Sequence, residues 1–235
     1  MTVIHVQINI FGPFIEPADV ELLKANPKDL RLEFIKQNLE WFFKISFSGL
    51  ERDIIERYIE ATTKDTHLNI VPHTEEIFER LLKPLILAKK SYALGEYITT
   101  FALCGIVGEM LAILIWKIGG VSVKGKPITE SDEELLFGRT FEKVQHYRRL
   151  NILKAFGLID EEMGKKFKLL SEKRNQFLHS WAPTSDNEKK DALSVLLESF
   201  RLLKEITQIG LADGGTVTVN PKLLKLFEEL NKNKL

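Results

Sequence analysis

Apolar residues recur at helical intervals along most of this chain, and the exceptions lie at its two ends. Residues 1 to 11 alternate Ile4, Val6, Ile8 and Ile10 with Val3, His5, Gln7 and Asn9, the period-two pattern of a strand with one apolar face. Thr216 to Asn220 is the other convincing strand and its expected partner. Nearly everything between reads as helix. Pro17 to Ala25 comes first, then Lys28 to Phe47, where Leu30, Phe34, Leu39, Trp41, Phe42 and Ile45 keep roughly helical spacing. Ser48-Gly49 separates this from a helix over Glu51 to Thr62, and the polar stretch Thr63 to Thr74, with Pro72, is the expected boundary between two parts.

Beyond that boundary the pattern predicts a helix over Glu75 to Ala88, a long apolar helix over Tyr92 to Ile118, and a loop through Gly119, Gly120, Gly125 and Pro127. Glu133 to Phe156 reads as helix, with Gly157 as its stop and Asp160 as the N-cap of the next, which Pro183 ends near Ser180. Asp186 to Ile209 is the last long helix, and Gly210, Gly214 and Gly215 lead to the short strand and a terminal helix from Pro221. The expected fold class is therefore mainly α. It comprises an N-terminal helical extension over 1–75, a four- or five-helix bundle over 76–209, and a short strand and helix over 210–235, with at most one short two-stranded β pairing.

With 235 residues, 44% of them hydrophobic, the chain can bury a substantial core. Its 33 basic and 33 acidic residues cancel, so nucleic acid or an anionic membrane would have to be held by a local patch. Cys104 is the single cysteine, which excludes an internal disulfide and a cysteine-based zinc cage, and no basic segment with an apolar signal core opens the chain. The expected compartment is the cytoplasm. Tyr97 to Ile118 has the length of a bilayer span, but Glu109 in its middle would be costly in lipid. We expect the central helix of a bundle there and no membrane anchor.

The strongest local anomaly is Arg174. On a helix turning about 100° per residue, Met163, Phe167, Leu170, Phe177, Leu178 and Trp181 form one apolar stripe, and Arg174 falls in its middle. A guanidinium stays charged at any accessible pH, so it needs a carboxylate, a phosphate or a partner subunit there. A structural ion pair with Glu109 would satisfy it, and so would a catalytic role. His179 follows Asn175 by one helical turn, close enough for the amide to orient the imidazole. A histidine at a helix end also serves as a C-cap on the final carbonyls.

The arrangement Arg174-Asn175-x-x-x-His179 resembles the signature of the HEPN superfamily of helical-bundle proteins, an arginine and a histidine four to six residues apart with a polar residue after the arginine. The surrounding chain resembles the same group. Ala88-Lys89-Lys90-Ser91-Tyr92-Ala93-Leu94-Gly95-Glu96-Tyr97 enters the apolar helix that contains Glu109, and Leu153 to Asp160 precedes the motif helix. The resemblance spans residues 76 to 209 and implies a HEPN-like bundle. It also implies a metal-independent endoribonuclease working as a homodimer, without cofactor, or a non-catalytic regulatory module of the same fold, for instance in a toxin-antitoxin pair or in defence against phage, with a protein partner. In the catalytic case His179 would move the proton, Arg174 would neutralise charge on the phosphate, and Asn175 would hold His179 or a phosphate oxygen. Metal ligands are not expected, because His5, His67, His73 and His146 are scattered without ligand spacing.

Arg174 and His179 stand about 140° apart on an ideal helix, so either the helix ends before His179 or a second subunit completes the site. For RNA contact, Arg139, Lys143 and His146 are spaced along one helical face with Arg148, Arg149 and Lys154 nearby, and Glu142 is the single acidic residue among them. A solvated basic helix surface has the same pattern.

Overall fold

A computed structural model describes residues 40, 46–63, 66, 75–123, 125–179, 187–208, 210–211 and 217–232. Of these, 79% are helical, in eight helices. They are α1 (Phe47–Glu60), α2 (Glu75–Leu94), α3 (Tyr97–Gly119), α4 (Glu130–Phe137), α5 (His146–Ala155), α6 (Glu161–His179), α7 (Glu188–Thr207) and α8 (Pro221–Lys232). The expected strand at residues 1 to 11 and the helix over 17–25 lie outside the described residues, as does nearly all of the helix over 28–47.

The chain divides into two compact units, Met1–Glu56 and Arg57–Leu235. In the first, α1 begins at Phe47 rather than Glu51. Ser48 and Gly49 lie inside its first turn, because the Ser46 hydroxyl accepts from the Gly49 amide at 3.2 Å and caps the helix. The second unit begins at Arg57, six residues before the polar stretch Thr63 to Thr74 expected as the boundary, and its opening turn explains why. Arg57 Nε donates to the Ala93 carbonyl at 2.8 Å, the Tyr92 hydroxyl donates to Glu60 at 3.0 Å, Lys189 pairs with Glu60 and Ala61 is fully buried.

The second unit is a helical bundle built around α3, which packs against α2, α6 and α7 and touches α5 and α8. A helix enclosed on so many sides needs no polar stripe, and Phe101, Cys104, Val107, Leu111 and Ala112 are fully buried. Burial of Phe101, Val107 and Leu111 contributes about 1.5–3 kcal/mol each. The buried hydroxyls of Ser199 and Thr207 are satisfied by carbonyls one turn back, at 2.8 and 2.6 Å. Two stacked aromatic pairs fix the ends of α3: Phe101 on Phe177 of α6 at 4.1 Å, and Trp116 on Phe141 at 4.4 Å.

Three boundaries differ from the sequence pattern. The apolar run does not begin a new helix at Tyr92. Instead α2 continues to Leu94, and the reversal into α3 is made at Gly95, whose φ of +85° suits glycine. The expected helix over Glu133 to Phe156 is in fact α4, a 3-10 turn at Phe141–Lys143, and α5. Thr129 and Asp132 form a capping box that starts α4, and Gly138 at φ +79° ends it. Glu133 then holds the break in place, accepting from Trp116 Nε1 at 2.5 Å and from the Phe141 amide at 2.7 Å. Finally, two short antiparallel pairings are present rather than at most one: Ser122–Val123 with Lys126–Pro127, and Gly210–Leu211 with Val217–Thr218. The strand expected at 216–220 therefore finds a partner nearby in sequence.

Other expected boundaries hold. Gly157, at φ +67°, follows the end of α5, Asp160 accepts from the Met163 amide at 2.7 Å as N-cap of α6, and α8 starts at Pro221.

Candidate functional site

Arg174 lies on α6 where that helix crosses α3, and the crossing is close because position 105 has no side chain. A Cβ on Gly105 would fall 3.0 Å from both Cβ and Cγ of Arg174 and nearer still to Cδ, so the arginine stem runs directly over the glycine. One turn on, Gly108 gives Leu170 similar room. The stem delivers the guanidinium to Glu109, one turn after Gly105 on the same face of α3. Nη1 of Arg174 donates to Glu109 Oε1, and Nε donates to Asn175 Oδ1 at 3.4 Å. The Arg174 side chain keeps 24% of its surface in solvent and that of Glu109 31%, so the pair is half-buried with an open edge. Arg174 therefore has the carboxylate partner that its place in the apolar stripe requires.

The other Glu109 oxygen faces α5. Nη2 of Arg149 stands 4.0 Å from Oε2, while the rest of that guanidinium donates to carbonyls: Nε to Val144 at 2.7 Å, Nη1 to Glu109 at 3.3 Å and Nη2 to Glu142 at 3.5 Å. Arg149 is 7% exposed. Burial lowers its pKa, with Glu109 and Glu142 opposing. His146, at the start of α5, sits edge-on to Phe167, and its Nδ1 is buried without a hydrogen-bond partner among the described residues. Burial pulls the imidazole down to about 4; Glu109 opposes this, and Arg149 and Arg174 add to it. At neutral pH His146 is uncharged.

The basic stretch is accordingly not one helical face. Arg139 lies in the loop after α4, Lys143 ends the 3-10 turn and His146 opens α5, because the chain turns twice between them. Arg139, Lys143 and Arg148 are exposed, as is Tyr147. Arg149 and His146 are turned inward, so neither belongs to an RNA-facing surface as the spacing suggested. Arg149 is instead part of the Arg174 site, and Glu109 joins it from α3. Asn175 is exposed and engaged with Arg174 rather than with the imidazole. His179 is the last residue of α6, and its side chain lies outside the description. Among the described residues no group of three or more potential metal ligands occurs.

No family model, curated protein or solved structure matches this chain.

Proposed function

We propose that the protein is a cytoplasmic, metal-independent endoribonuclease of HEPN type that cuts RNA phosphodiesters as a homodimer through Arg174 and His179. The observation that carries this reading is the half-open Arg174 guanidinium, seated over Gly105 and aligned by Glu109 and Asn175, five residues before the histidine that ends α6. In the reaction His179 removes the 2′-hydroxyl proton, and the freed oxygen attacks the adjacent phosphorus. The bond from phosphorus to the 5′-oxygen breaks, and that oxygen takes up a proton. The products are a 2′,3′-cyclic phosphate and a 5′-hydroxyl. Arg174 offsets the charge that builds on the phosphorane oxygens.

Helical geometry continues to His179, which leaves the arginine and histidine of one chain about 140° apart. This favours a site completed by a second copy, with Arg174 of one protomer working beside the motif of its partner. The test is cleavage of single-stranded RNA in excess chelator by wild type, Arg174→Ala and His179→Ala. The proposal expects cleavage by wild type alone, and a magnesium requirement or an active His179→Ala enzyme would contradict it.

A second reading, a non-catalytic helical module that binds a protein or nucleic acid, is favoured by the same contacts taken differently. With Glu109 and Asn175 both on Arg174, the guanidinium is already engaged. Under that reading wild type leaves RNA intact in the same assay.

A further inference from the structure

Arg149 is the one charged member of the cluster that the proposed reaction leaves without a task. Its three carbonyl bonds tie the 142–144 turn to α3, yet a neutral donor would serve a purely structural latch at less desolvation cost. What the guanidinium adds is charge. Glu109 lies between two arginines from two helices, Oε1 on Arg174 and Oε2 toward Arg149. The neighbours change nothing in the sum, because His146 is neutral and Glu142 is matched by Lys117 at 2.5 Å. Two guanidiniums and one carboxylate leave one positive charge. Arg149 is buried while Arg174 is a quarter exposed, so the excess emerges at the Arg174 edge. Had Arg174 and Glu109 formed a closed pair, that edge would be neutral and would attract no anion.

We propose that Arg149 is a positioning residue: by sharing Glu109 with Arg174 it leaves the cluster one net positive charge, and it thereby makes the open edge of Arg174 a site for a single phosphate group. This rests on the assignment of Arg174 to a phosphate oxygen made above, and it adds the residue that keeps that arginine available.

The experiment follows the Arg174 Nε–H resonance of the full-length protein, identified by its loss in Arg174→Lys, as inorganic phosphate is added at constant ionic strength. Wild type gives a saturable shift. Arg149→Met leaves a neutral pair and weakens phosphate binding by about tenfold or more, the effect of removing one nearby charge from a partly screened site. Arg149→Lys keeps the charge and stays within about threefold of wild type. The decisive variant is Glu109→Gln with Arg149→Met, whose net charge is again one. It returns affinity to within about threefold of wild type, whereas a merely structural Arg149 would make the double variant no better than Arg149→Met. Where Arg149→Met does not fold, Arg149→Lys and Glu109→Gln carry the test: the first preserves binding and the second, with two net charges, tightens it. No saturable shift in wild type, equal affinity in Arg149→Met, or weaker binding in Glu109→Gln overturns the proposal. Phosphate titration involves no RNA cleavage, so its failure is separable from failure of the ribonuclease reading, which the chelator assay decides.

Discussion

Alanine at position 105 places a methyl group inside the Arg174 stem, 3.0 Å from its Cβ and Cγ. Two opposing effects follow. Glycine in a helix interior costs about 1 kcal/mol relative to alanine, so on propensity alone Gly105→Ala is stabilising. Against this, the methyl group meets the root of the side chain rather than a flexible tip, and Arg174 has to leave its rotamer and with it Glu109. Overpacking of this kind costs about 1–3 kcal/mol. The lost ion pair, discounted because both side chains are a quarter to a third exposed, adds about 1 kcal/mol. The net expectation is a loss of about 1–3 kcal/mol. Most of this penalty should vanish once Arg174 is gone: in an Arg174→Ala background only the Cβ at 3.0 Å remains, a contact that offsets the helix-propensity gain, and Gly105→Ala should be close to neutral, within about 1 kcal/mol. Urea unfolding of the four proteins at constant m-value gives the coupling energy, expected at about 1–3 kcal/mol. A coupling below about 0.5 kcal/mol would mean that Arg174 does not lie over Gly105, and the site geometry would fall with it.

His146 should make the fold acid-sensitive. Its imidazole titrates near 4 when folded against 6.5 when free, so the unfolded chain takes up the proton first. Stability is complete above about pH 6.5 and declines as pH falls toward about 4, by at most about 2 kcal/mol after discounting for partial exposure. His146→Gln should flatten that part of the profile, and an unchanged slope would reject the burial of His146. Phe141→Ala removes a fully buried ring stacked on Trp116 and should cost about 3–5 kcal/mol in thermal or urea unfolding; a loss under about 1 kcal/mol would contradict that packing. Mixing Arg174→Ala and His179→Ala subunits should restore about a quarter of wild-type activity, since half of randomly paired dimers are mixed and each then has one intact site of two. Mixtures that stay inactive although heterodimers form would place both residues in one chain.

Much of the bundle was legible because its signals are local. Gly157, Asp160 and Pro221 mark helix ends through their own backbone chemistry, and Arg174 stood out because a permanent charge interrupted an apolar stripe. Its pairing with Glu109 followed from the same mismatch, two charges on apolar faces. What was not legible depends on tertiary placement. Gly95 sits in a run of helix-compatible residues, and only its positive φ makes it a turn. Glu133 to Phe156 keeps a helical period across the break at Gly138, because the residues that hold that break, Trp116 and Phe141, come from different elements. Arg149 reads as one more surface cation among Arg139, Lys143 and Arg148, and its burial follows from three carbonyls that no periodicity reveals. Gly105 gave no sign at all, since a glycine in an apolar helix is equally a neutral filler and the floor of a crossing.

In the proposed reaction Arg174 and His179 cut RNA by internal attack of a 2′-hydroxyl. Mass analysis of the ends produced from a defined RNA in excess chelator decides this, run beside the same RNA carrying a 2′-deoxy residue at the cleaved position. The first RNA should yield 2′,3′-cyclic phosphate and 5′-hydroxyl ends, the second should not be cut at that position, and neither Arg174→Ala nor His179→Ala homodimers should give products. Ends carrying a 5′-phosphate, or undiminished cleavage beside the 2′-deoxy residue, would contradict it.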